Sequence, residues 1–379
     1  MHKKVVIAGF KRSPHHFANK GGLRRVRPDD LVAEVIRNLV SDTGVDERDI
    51  EDLILGCSFP EGEQGLNMAR LVVLRSGLPQ SVAGVTVNRF CGSSMQAIHV
   101  AAGAIQLDAG EAFLCAGVES MSRVPILGFN PMPNPKLAAD VPGAYMAMGI
   151  TAENLARKYQ ITRAAQEELA VLSQRRAATA REQGRFADEI VAIPVNGGVV
   201  TADGTIRPDT TEEGLAQLRP SFDAAGTVTA GTSSPLTDGA SATLVVSEDY
   251  AMAHGLAVLA RIRSVAVSGC APEIMGIGPV DATRKALDRA GLALGDIDVI
   301  ELNEAFAAQV LAVAHELDLD WQKTNLDGGA IALGHPLGAS GARITGKAAS
   351  VLKREGKEFA LATMCIGGGQ GIATVLEAA

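Results

Sequence analysis

The chain has 379 residues, 47% hydrophobic and 21% charged, with a formal net charge of −8. This acidic balance argues against nucleic-acid binding, which requires clustered Lys and Arg to neutralise phosphates. The length exceeds what one hydrophobic core usually supports, so two or more domains are expected. The longest nearly apolar stretch, residues 97–107, is too short to cross a bilayer, and no membrane span is expected.

Helix and strand patterns follow the same order twice along the chain. After a first strand at residues 5–9 come a helix, the pair Asp49-Ile50, a strand and a Gly/Ser-rich helix start at Cys91. In the second half a helix, the pair Asp296-Ile297, a strand and a small-residue helix start at Ser340 repeat that order at nearly the same spacing. The repeat predicts two α/β domains of like topology.

The repeat also predicts domain boundaries. Residues 1–119 together with 237–257 are expected to form the N-terminal domain, and residues 258–379 the C-terminal domain, of a duplicated, layered α/β fold. Residues 120–236 have no counterpart in the repeat and are expected to form an inserted loop domain with a long helix near 152–183. Insertions carried on a rigid scaffold often line binding sites.

Five cysteines, an odd number without a Cys-x-x-Cys pair, fit neither a disulfide framework nor a structural zinc site and predict a reducing, cytoplasmic location. Cys91 lies between a β-branched strand and the run Gly92-Ser93-Ser94, which begins a helix. Free N–H groups there would stabilise a thiolate and an oxyanion, although free cysteine is also a common core residue. The pattern alone favours neither function nor packing. Core packing is expected for Cys57, Cys115 and Cys270.

Three other residues have positions suited to chemistry. His335 lies on a loop between a glycine and a proline, where an imidazole is free to act as a base. Cys365 ends an apolar strand before three glycines that let a ligand approach the backbone. Asn303 follows a strand and, from the pattern alone, is better explained as a helix N-cap. If the two halves pack face to face, Cys91 meets the base and the second thiol.

The sequence indicates no prosthetic group and no metal site. Residues 341–348 match the spacing of a phosphate-binding loop, but they are typical of a helix interior and end in alanine where a hydroxyl should bind magnesium. The Gly-rich run 367–371 is shorter than a dinucleotide-binding fingerprint. His99 lies on an apolar helix and is expected in a core or an interface. Surface positions without metal-ligand spacing are expected for His2, His15, His16, His254 and His315.

Four blocks of sequence resemble the active-site blocks of the thiolase family: Cys91, Asn303-Glu304-Ala305-Phe306, Gly334-His335-Pro336 and Cys365-Ile366-Gly367-Gly368-Gly369. The resemblance covers nearly the whole chain. It implies two five-stranded layered α/β domains, a loop domain inserted in the first, no prosthetic group, and coenzyme A as a substrate. It also implies a homodimer or homotetramer, because residues 64–70 are similar to a segment that contacts the partner subunit in the family.

The resemblance implies a role for each candidate residue. Cys91 would be the nucleophile that takes the acyl group, and His335 would be the base that activates Cys91. Cys365 would move the α-proton of the acetyl unit in a ping-pong reaction. Asn303, through an ordered water, and His335 would stabilise one oxyanion, and the N–H groups of Cys91 and Gly367 the other. This reverses the N-cap interpretation of Asn303. Coenzyme A contacts are implied for Ser234 on the pantetheine arm, Arg207 on the nucleotide phosphate, and Met148, Met275 and Phe306 in the pocket.

One departure from the family bears on the substrate. Where acetoacetyl-CoA-specific thiolases look like His-Met-Gly, this chain has Ala147-Met148-Gly149, so a side chain beside the acyl pocket is missing. The resemblance therefore implies more room in the pocket, which favours longer 3-ketoacyl chains. Residues 89–96 and 363–365 also look like the degradative, fatty-acid β-oxidation branch of lipid metabolism. We therefore expect a 3-ketoacyl-CoA thiolase that uses coenzyme A to release acetyl-CoA and a shortened acyl-CoA.

Several alternatives stay open from the sequence. The chain could be an acetoacetyl-CoA thiolase working in the condensing direction, or a non-catalytic acyl-CoA-binding subunit of a β-oxidation complex. The related ketoacyl synthases would have a second histidine instead of Cys365. A hydratase/dehydrogenase partner subunit and ring-derived 3-ketoacyl substrates are further options. Absence of turnover despite coenzyme A binding would favour the non-catalytic subunit.

Overall fold

A computed structural model describes residues 3–379. Its strands are β1 (Val5–Arg12), β2 (His16–Phe17), β3 (Ile50–Gly56), β4 (Ala83–Val87), β5 (Ala112–Ser120), β6 (Ile193–Val195), β7 (Gly198–Val200), β8 (Thr237–Ser247), β9 (Ala260–Gly269), β10 (Val299–Leu302), β11 (Phe359–Ile366) and β12 (Gln370–Glu377). Its α-helices are α1 (Pro28–Thr43), α2 (Met68–Ser76), α3 (Ser93–Gln106), α4 (Pro135–Asp140), α5 (Met148–Lys158), α6 (Arg163–Glu182), α7 (Glu212–Ala216), α8 (Glu248–Ala253), α9 (Gly278–Ala290), α10 (Ala307–Leu317), α11 (Ala330–Leu333) and α12 (Leu337–Glu355).

The main sheet repeats one strand order in each half of the chain. The first half runs β1-β8-β5-β3-β4 and the second β9-β12-β11-β10, and Thr324 forms a bridge to Ile300 where a fifth strand would lie. The halves join through a short antiparallel pairing in which Val6 faces Arg261 and Ile7 faces Ala260. Parallel pairing of β3 with β4 and of β10 with β11 follows from the intervening helices. This arrangement confirms the predicted duplicated α/β fold.

Two central helices lie between the halves. Helix α12 packs against strands of both halves and against α3, and its residues from Leu337 to Ala349 are buried. Small residues make this close packing feasible, since a Cβ at Gly341 would collide with Met95 of α3. Helices α1 and α9 cover the outer faces of the first and second half. Close packing between these layers explains how a chain with few aromatic residues forms a buried core.

The insertion between β5 and β8 packs mainly on the second half. Helix α5 contacts α10, and α6 contacts α10 and α11. The single long helix expected near residues 152–183 is wrong, because the chain breaks at Gln160, which has φ +53°, and Thr162 caps the start of α6 by accepting the Ala165 N–H. The insertion, which interrupts the first half of the chain, therefore covers helices of the second half.

Three further sequence expectations bear on the fold. His15 was expected at the surface, but it is buried and its Nδ1 lies 3.0 Å from the Leu333 carbonyl oxygen. His2 lies outside the described residues. Cys57 and Cys115 are buried, as predicted, and Cys270 is half-buried. Among residues 3–379, no helix has the length and apolarity needed to cross a membrane, and no cluster of three or more His, Cys, Asp or Glu side chains is arranged for a metal ion.

Candidate active site

Cys91 lies on a tight turn between β4 and α3. The preceding Phe90 has φ +42°, a left-handed conformation that is uncommon for a bulky residue and is frequent at functional turns. Ser93 fixes the turn, because its Oγ accepts the Arg89 N–H at 2.9 Å and donates to the Phe90 carbonyl at 2.6 Å. The N-cap of α3 is Gly92, which has no side chain to occupy the first N–H groups of the helix. The turn therefore holds the thiol beside free backbone donors.

A backbone donor from the other half reaches the same sulfur. Cys91 is 3% exposed, and burial raises the pKa of its thiol to about 11. The Gly367 N–H opposes that rise by donating to the sulfur. Gly368 and Gly369, with φ +79° and +84°, give the β11–β12 turn a backbone that side-chain-bearing residues rarely adopt. Because the thiol holds its proton at neutral pH, it needs a base to become a nucleophile.

His335 supplies a neutral imidazole at the start of α12. Its Nδ1 lies 2.5 Å from Ser340 Oγ, which donates its own proton to the Pro336 carbonyl at 3.0 Å. The ring proton is therefore assigned to Nδ1, which leaves the Nε2 lone pair facing Asn303 Nδ2 at 3.4 Å. Burial and then the positive charge of Arg343 lower the pKa of His335 to about 3. The imidazole is thus available to accept a proton at Nε2.

Asn303 is not a helix N-cap. Helix α10 begins at Ala307 with Phe306 at its N-cap position, so the N-cap interpretation is wrong. The Asn303 N–H extends the strand ladder by donating to the Thr363 carbonyl. Its Oδ1 is buried and has no hydrogen-bond partner among residues 3–379. A buried, unpaired amide oxygen beside His335 Nε2 is suited to hold a water or a polar substrate group.

Cys365 ends β11 and is buried next to the same cavity. Burial, and then the charge that Cys91 carries as a thiolate, raise the pKa of Cys365. The second thiol therefore keeps its proton while the first is ionised. Two thiols with separate protonation states can divide the work, one as a nucleophile and the other as a proton donor.

These side chains meet at a cavity of about 330 Å³. Most of the lining is apolar, as in sites for small organic ligands. The lining residues are Cys91, Met121, Ile126, Leu127, Tyr145, Met146, Ala147, Met148, Gly149, Phe222, Ser233, Ser234, Pro235, Leu236, Met275, Ala305, Phe306, His335, Leu337 and Cys365. The cavity thus receives groups from the first half, the insertion and the second half.

The predicted site residues divide into three groups. The cavity brings together Cys91, His335, Cys365, Ser234, Met148, Met275 and Phe306. Asn303 and Gly367 lie one contact behind it, against His335 and Cys91 respectively. Arg207 is not among the lining residues; its N–H donates to Gln174 Oε1 and its guanidinium lies 5.9 Å from the centre of the Phe17 ring.

Sequence reasoning missed three residues of the site. Phe222 lines the cavity and meets Phe306 edge-on, with 5.8 Å between ring centres. Ser340 was read only as part of a helix start, although it holds His335. Glu119 is buried and accepts the N–H groups of Ser58 and Gly338, which joins the end of β5 to the start of α12. A charged residue ending an apolar strand was the available signal for Glu119.

Comparisons with known proteins agree on one family. The model of the thiolase N-terminal domain matches residues 5–249, and that of the thiolase C-terminal domain matches residues 256–378. A 3-ketoacyl-CoA thiolase of Bacillus subtilis is 47% identical over 99% of both chains. Human mitochondrial 3-ketoacyl-CoA thiolase, solved in complex with CoA, has a TM-score of 0.92 and 40% identity, covering 100% of this chain and 98% of its own. The acetyl-CoA acetyltransferase of Bacillus anthracis has the same TM-score and 41% identity, covering 100% and 99%.

Proposed function

This chain belongs to the thiolase family, and from that premise we propose that it is a 3-ketoacyl-CoA thiolase, an acyltransferase of the degradative branch. It cleaves a 3-ketoacyl-CoA with coenzyme A and yields acetyl-CoA and a shortened acyl-CoA. The observation that carries the proposal is the convergence of two buried thiols and a neutral imidazole, Cys91, Cys365 and His335, at one apolar cavity. Coenzyme A is a substrate of this reaction.

The first half-reaction forms an acyl-enzyme. His335 Nε2 takes the thiol proton of Cys91, and the sulfur attacks the 3-keto carbon of the substrate. As the bond between C2 and C3 breaks, the acetyl-CoA enolate leaves and takes the thiol proton of Cys365 at C2. The raised pKa of Cys365 supports this assignment, because the thiol still carries a proton when it is needed.

The second half-reaction releases the shortened acyl-CoA. The Cys365 thiolate takes the thiol proton of coenzyme A, whose sulfur attacks the acyl thioester on Cys91. Cys91 leaves as a thiolate and recovers its proton from the His335 imidazolium. The N–H groups of Cys91 and Gly367 are the proposed donors to the oxyanion at the acyl carbon, and His335 with an Asn303-held water the donors to the enolate oxygen. The short reach from Gly367 to the Cys91 sulfur supports the first pair.

The coenzyme A arm is proposed to follow the insertion side of the cavity. Ser234 and Phe306 both line the cavity there, and their segments are joined, since the Ser234 N–H donates to the Ala305 carbonyl and Ser233 forms a bridge to Phe306. Met148 and Met275 offer flexible apolar contacts to the pantetheine chain. Arg207, outside the lining, is proposed to reach the nucleotide phosphate, because its Nε is buried without a partner among residues 3–379. No prosthetic group takes part in the scheme.

Ala147 tests the substrate length. It lines the cavity at the N-cap of α5, so a histidine there is expected to fill space that a longer acyl chain occupies. We expect wild type to cleave a medium-chain 3-ketoacyl-CoA with higher kcat/KM than acetoacetyl-CoA. Ala147→His is expected to lower the medium-chain value about tenfold and to change the acetoacetyl value little. The measurement is thiolysis of both esters side by side.

Ala144→His is the matched control, because Ala144 lies three residues away and does not line the cavity. It should keep the preference of the wild type. Cleavage of acetoacetyl-CoA alone by the wild type would replace the chain-length proposal with the acetoacetyl-CoA thiolase alternative. Coenzyme A binding without any turnover would favour the non-catalytic subunit of a β-oxidation complex.

The domain boundaries are proposed as residues 1–119 with 237–257, 120–236, and 258–379. The last strand of the first half supports them, since β8 begins at Thr237 and pairs between β1 and β5. The next strand, β9, begins at Ala260 and opens the order of the second half.

A homodimer or homotetramer is proposed to form through the outer edge of the first half. Strand β4 ends the sheet, and Leu66, Leu74 and Val85 beside it are exposed, Leu66 by 87%. Sedimentation velocity should show the wild type as a dimer or larger and Leu66→Asp/Leu74→Asp as a smaller species. Met252→Asp, at an exposed apolar residue of α8, is the control expected to leave the assembly intact. A monomeric wild type would contradict the proposal.

Cellular context follows from the same chemistry. Five free cysteines support the proposed reducing, cytoplasmic location, which thiol titration of the freshly prepared protein would test. Oxidation of a 3-hydroxyacyl-CoA yields the 3-keto group of the proposed substrate. We therefore propose a hydratase/dehydrogenase subunit as the partner, to be sought by co-purification.

A further inference from the structure

A buried guanidinium and a buried carboxyl group near the cavity have no part in the scheme above. Arg343 of α12 is 2% exposed and Glu301 of β10 is 1% exposed. Within residues 3–379, Arg343 Nε and Glu301 Oε1 have no hydrogen-bond partner. Burial raises the pKa of Glu301 to about 8, so its carboxyl group is mostly protonated at neutral pH. Arg343 opposes that rise through its charge and not through a direct hydrogen bond. Because a buried polar atom without a hydrogen-bond partner is costly, this arrangement calls for an intervening group that can bond to both.

Both side chains belong to the elements that hold the proposed catalytic groups. Glu301 is two residues before Asn303 along an extended segment, so the two side chains share one face of the sheet. Arg343 is three residues after Ser340, the partner of His335, and shares its face of α12. Helix α12 packs on β10. A link between the two side chains therefore joins the element that carries Asn303 to the one that holds His335.

The surrounding charges are already paired with other groups. Arg343 faces Glu304 after β10, Arg12 of β1 and Glu189 after α6, and Glu301 faces Lys347 of α12, Asp327 before α11 and Glu304. Direct partners are present for each neighbour: Arg12 binds Asp203 and Glu189, Lys347 binds Glu189 and Asp327, and Glu304 binds Ser173 and Asn325. Within the cluster, Arg343 Nε and Glu301 Oε1 are the two buried atoms that no group among residues 3–379 satisfies.

We propose that Glu301 and Arg343 form a water-bridged pair that positions Asn303 and His335 for the thiolase reaction. A buried water makes about three hydrogen bonds, enough to join the guanidinium to the carboxyl group in either protonation state. The two side chains touch no substrate and act as positioning residues. The inference rests on the proposed function and adds two roles to it. The charge of Arg343 helps to keep His335 neutral, and the water-bridged link fixes the distance between His335 and Asn303.

The charge of Arg343 predicts a change in pH dependence. Since that charge helps to lower the pKa of His335, Arg343→Met is expected to raise it. The base is then protonated at higher pH, and the acidic limb of kcat/KM should move up by about one pH unit. Arg343→Lys keeps the positive charge but loses the planar guanidinium that can bond to the bridging water. We therefore expect the acidic limb of kcat/KM at the wild-type pH, a kcat about tenfold lower and an unchanged KM for coenzyme A.

Controls separate positioning from folding. Arg354→Met removes a charge from the same helix, where it is bound to Asp327, and should leave both kcat and the acidic limb as in the wild type. If Arg343→Met fails to fold, the double variant Arg343→Met/Glu301→Gln removes the guanidinium together with the carboxyl group that faces it and should still show the raised limb. A fall in stability and kcat together, with an unmoved limb in all these variants, would reduce the pair to a structural role and overturn the proposal.

A second readout does not depend on turnover. The pH dependence of Cys91 alkylation by iodoacetamide, located by mass spectrometry, should shift in Arg343→Met as the acidic limb does. If the wild type turns over no 3-ketoacyl-CoA, the proposed function fails, yet the alkylation profile still tests the pair. In a high-resolution crystal structure, an ordered water within hydrogen-bond distance of Arg343 Nε and Glu301 Oε1 is expected. Direct contact of the two atoms would contradict the bridge.

Discussion

Replacement of Cys91 by alanine is expected to lower thiolysis by at least about 10⁴-fold, because the acyl group then has no sulfur to hold it. Coenzyme A binding should persist, since Ser234, Met275 and Phe306 are untouched. The decisive measurement is the acyl-enzyme itself. Wild type quenched during turnover should carry the shortened acyl group on the Cys91 peptide, and Cys91→Ala should carry none.

The matched control for this result is Cys115→Ala. Cys115 is a buried cysteine of β5 that does not line the cavity, so its loss is expected to change stability slightly and the acyl-enzyme not at all. An acyl group found on Cys365 instead of Cys91, or turnover of Cys91→Ala within about 100-fold of the wild type, would contradict the assignment of the nucleophile.

Replacement of Cys365 by alanine should separate the two thiol roles. Thiolysis is expected to fall by about 10³-fold, the range for loss of a positioned proton donor. Exchange of labelled coenzyme A into acetyl-CoA should continue, because no carbon–carbon bond breaks in it and Cys365 never gives up its proton. In exchange His335 takes the Cys91 proton, passes it to the departing coenzyme A thiolate, and carries it back in the return step. Steady-state thiolysis and isotope exchange measured on one preparation give the comparison.

Cys270→Ala serves as the control here, because Cys270 is a half-buried cysteine outside the cavity lining. It should retain both thiolysis and exchange. Loss of exchange in Cys365→Ala to the same extent as thiolysis would show that Cys365 is needed for acyl transfer, and the proposed division between the thiols would then be wrong.

The sequence was sufficient for much of the architecture. Repeated patterns around Asp49 and Asp296 predicted two similar halves, which the common strand order confirms. Hydrophobic periodicity reports which face of an element is buried, and it therefore identified the strands and helices that end near Cys91 and Cys365. The break between α5 and α6 was missed, because a helical pattern continues in register across a short kink.

Other features depend on contacts between distant residues. Asn303 looked like an N-cap, since local sequence shows a polar residue before a helix and not that Phe306 occupies the cap position. His15 was placed at the surface because its buried partner, Leu333, is far away in the chain. Phe222 becomes visible as a lining residue only when the insertion is folded over the second half. Hydrophobic periodicity indicates which side chains are buried, but it does not identify the distant residues that they contact.

The common strand order has a consequence for the origin of the site. The turn that starts α3 and the loop that starts α12 occupy equivalent places in the two halves, and both open on one cavity. Neither helix start has a side-chain cap. An ancestral single unit paired with its own copy would have presented two identical helix starts to a shared cleft. Joining both units in one chain frees the two starts from symmetry, so that one can carry the nucleophile and the other the base, a specialisation closed to a symmetric pair.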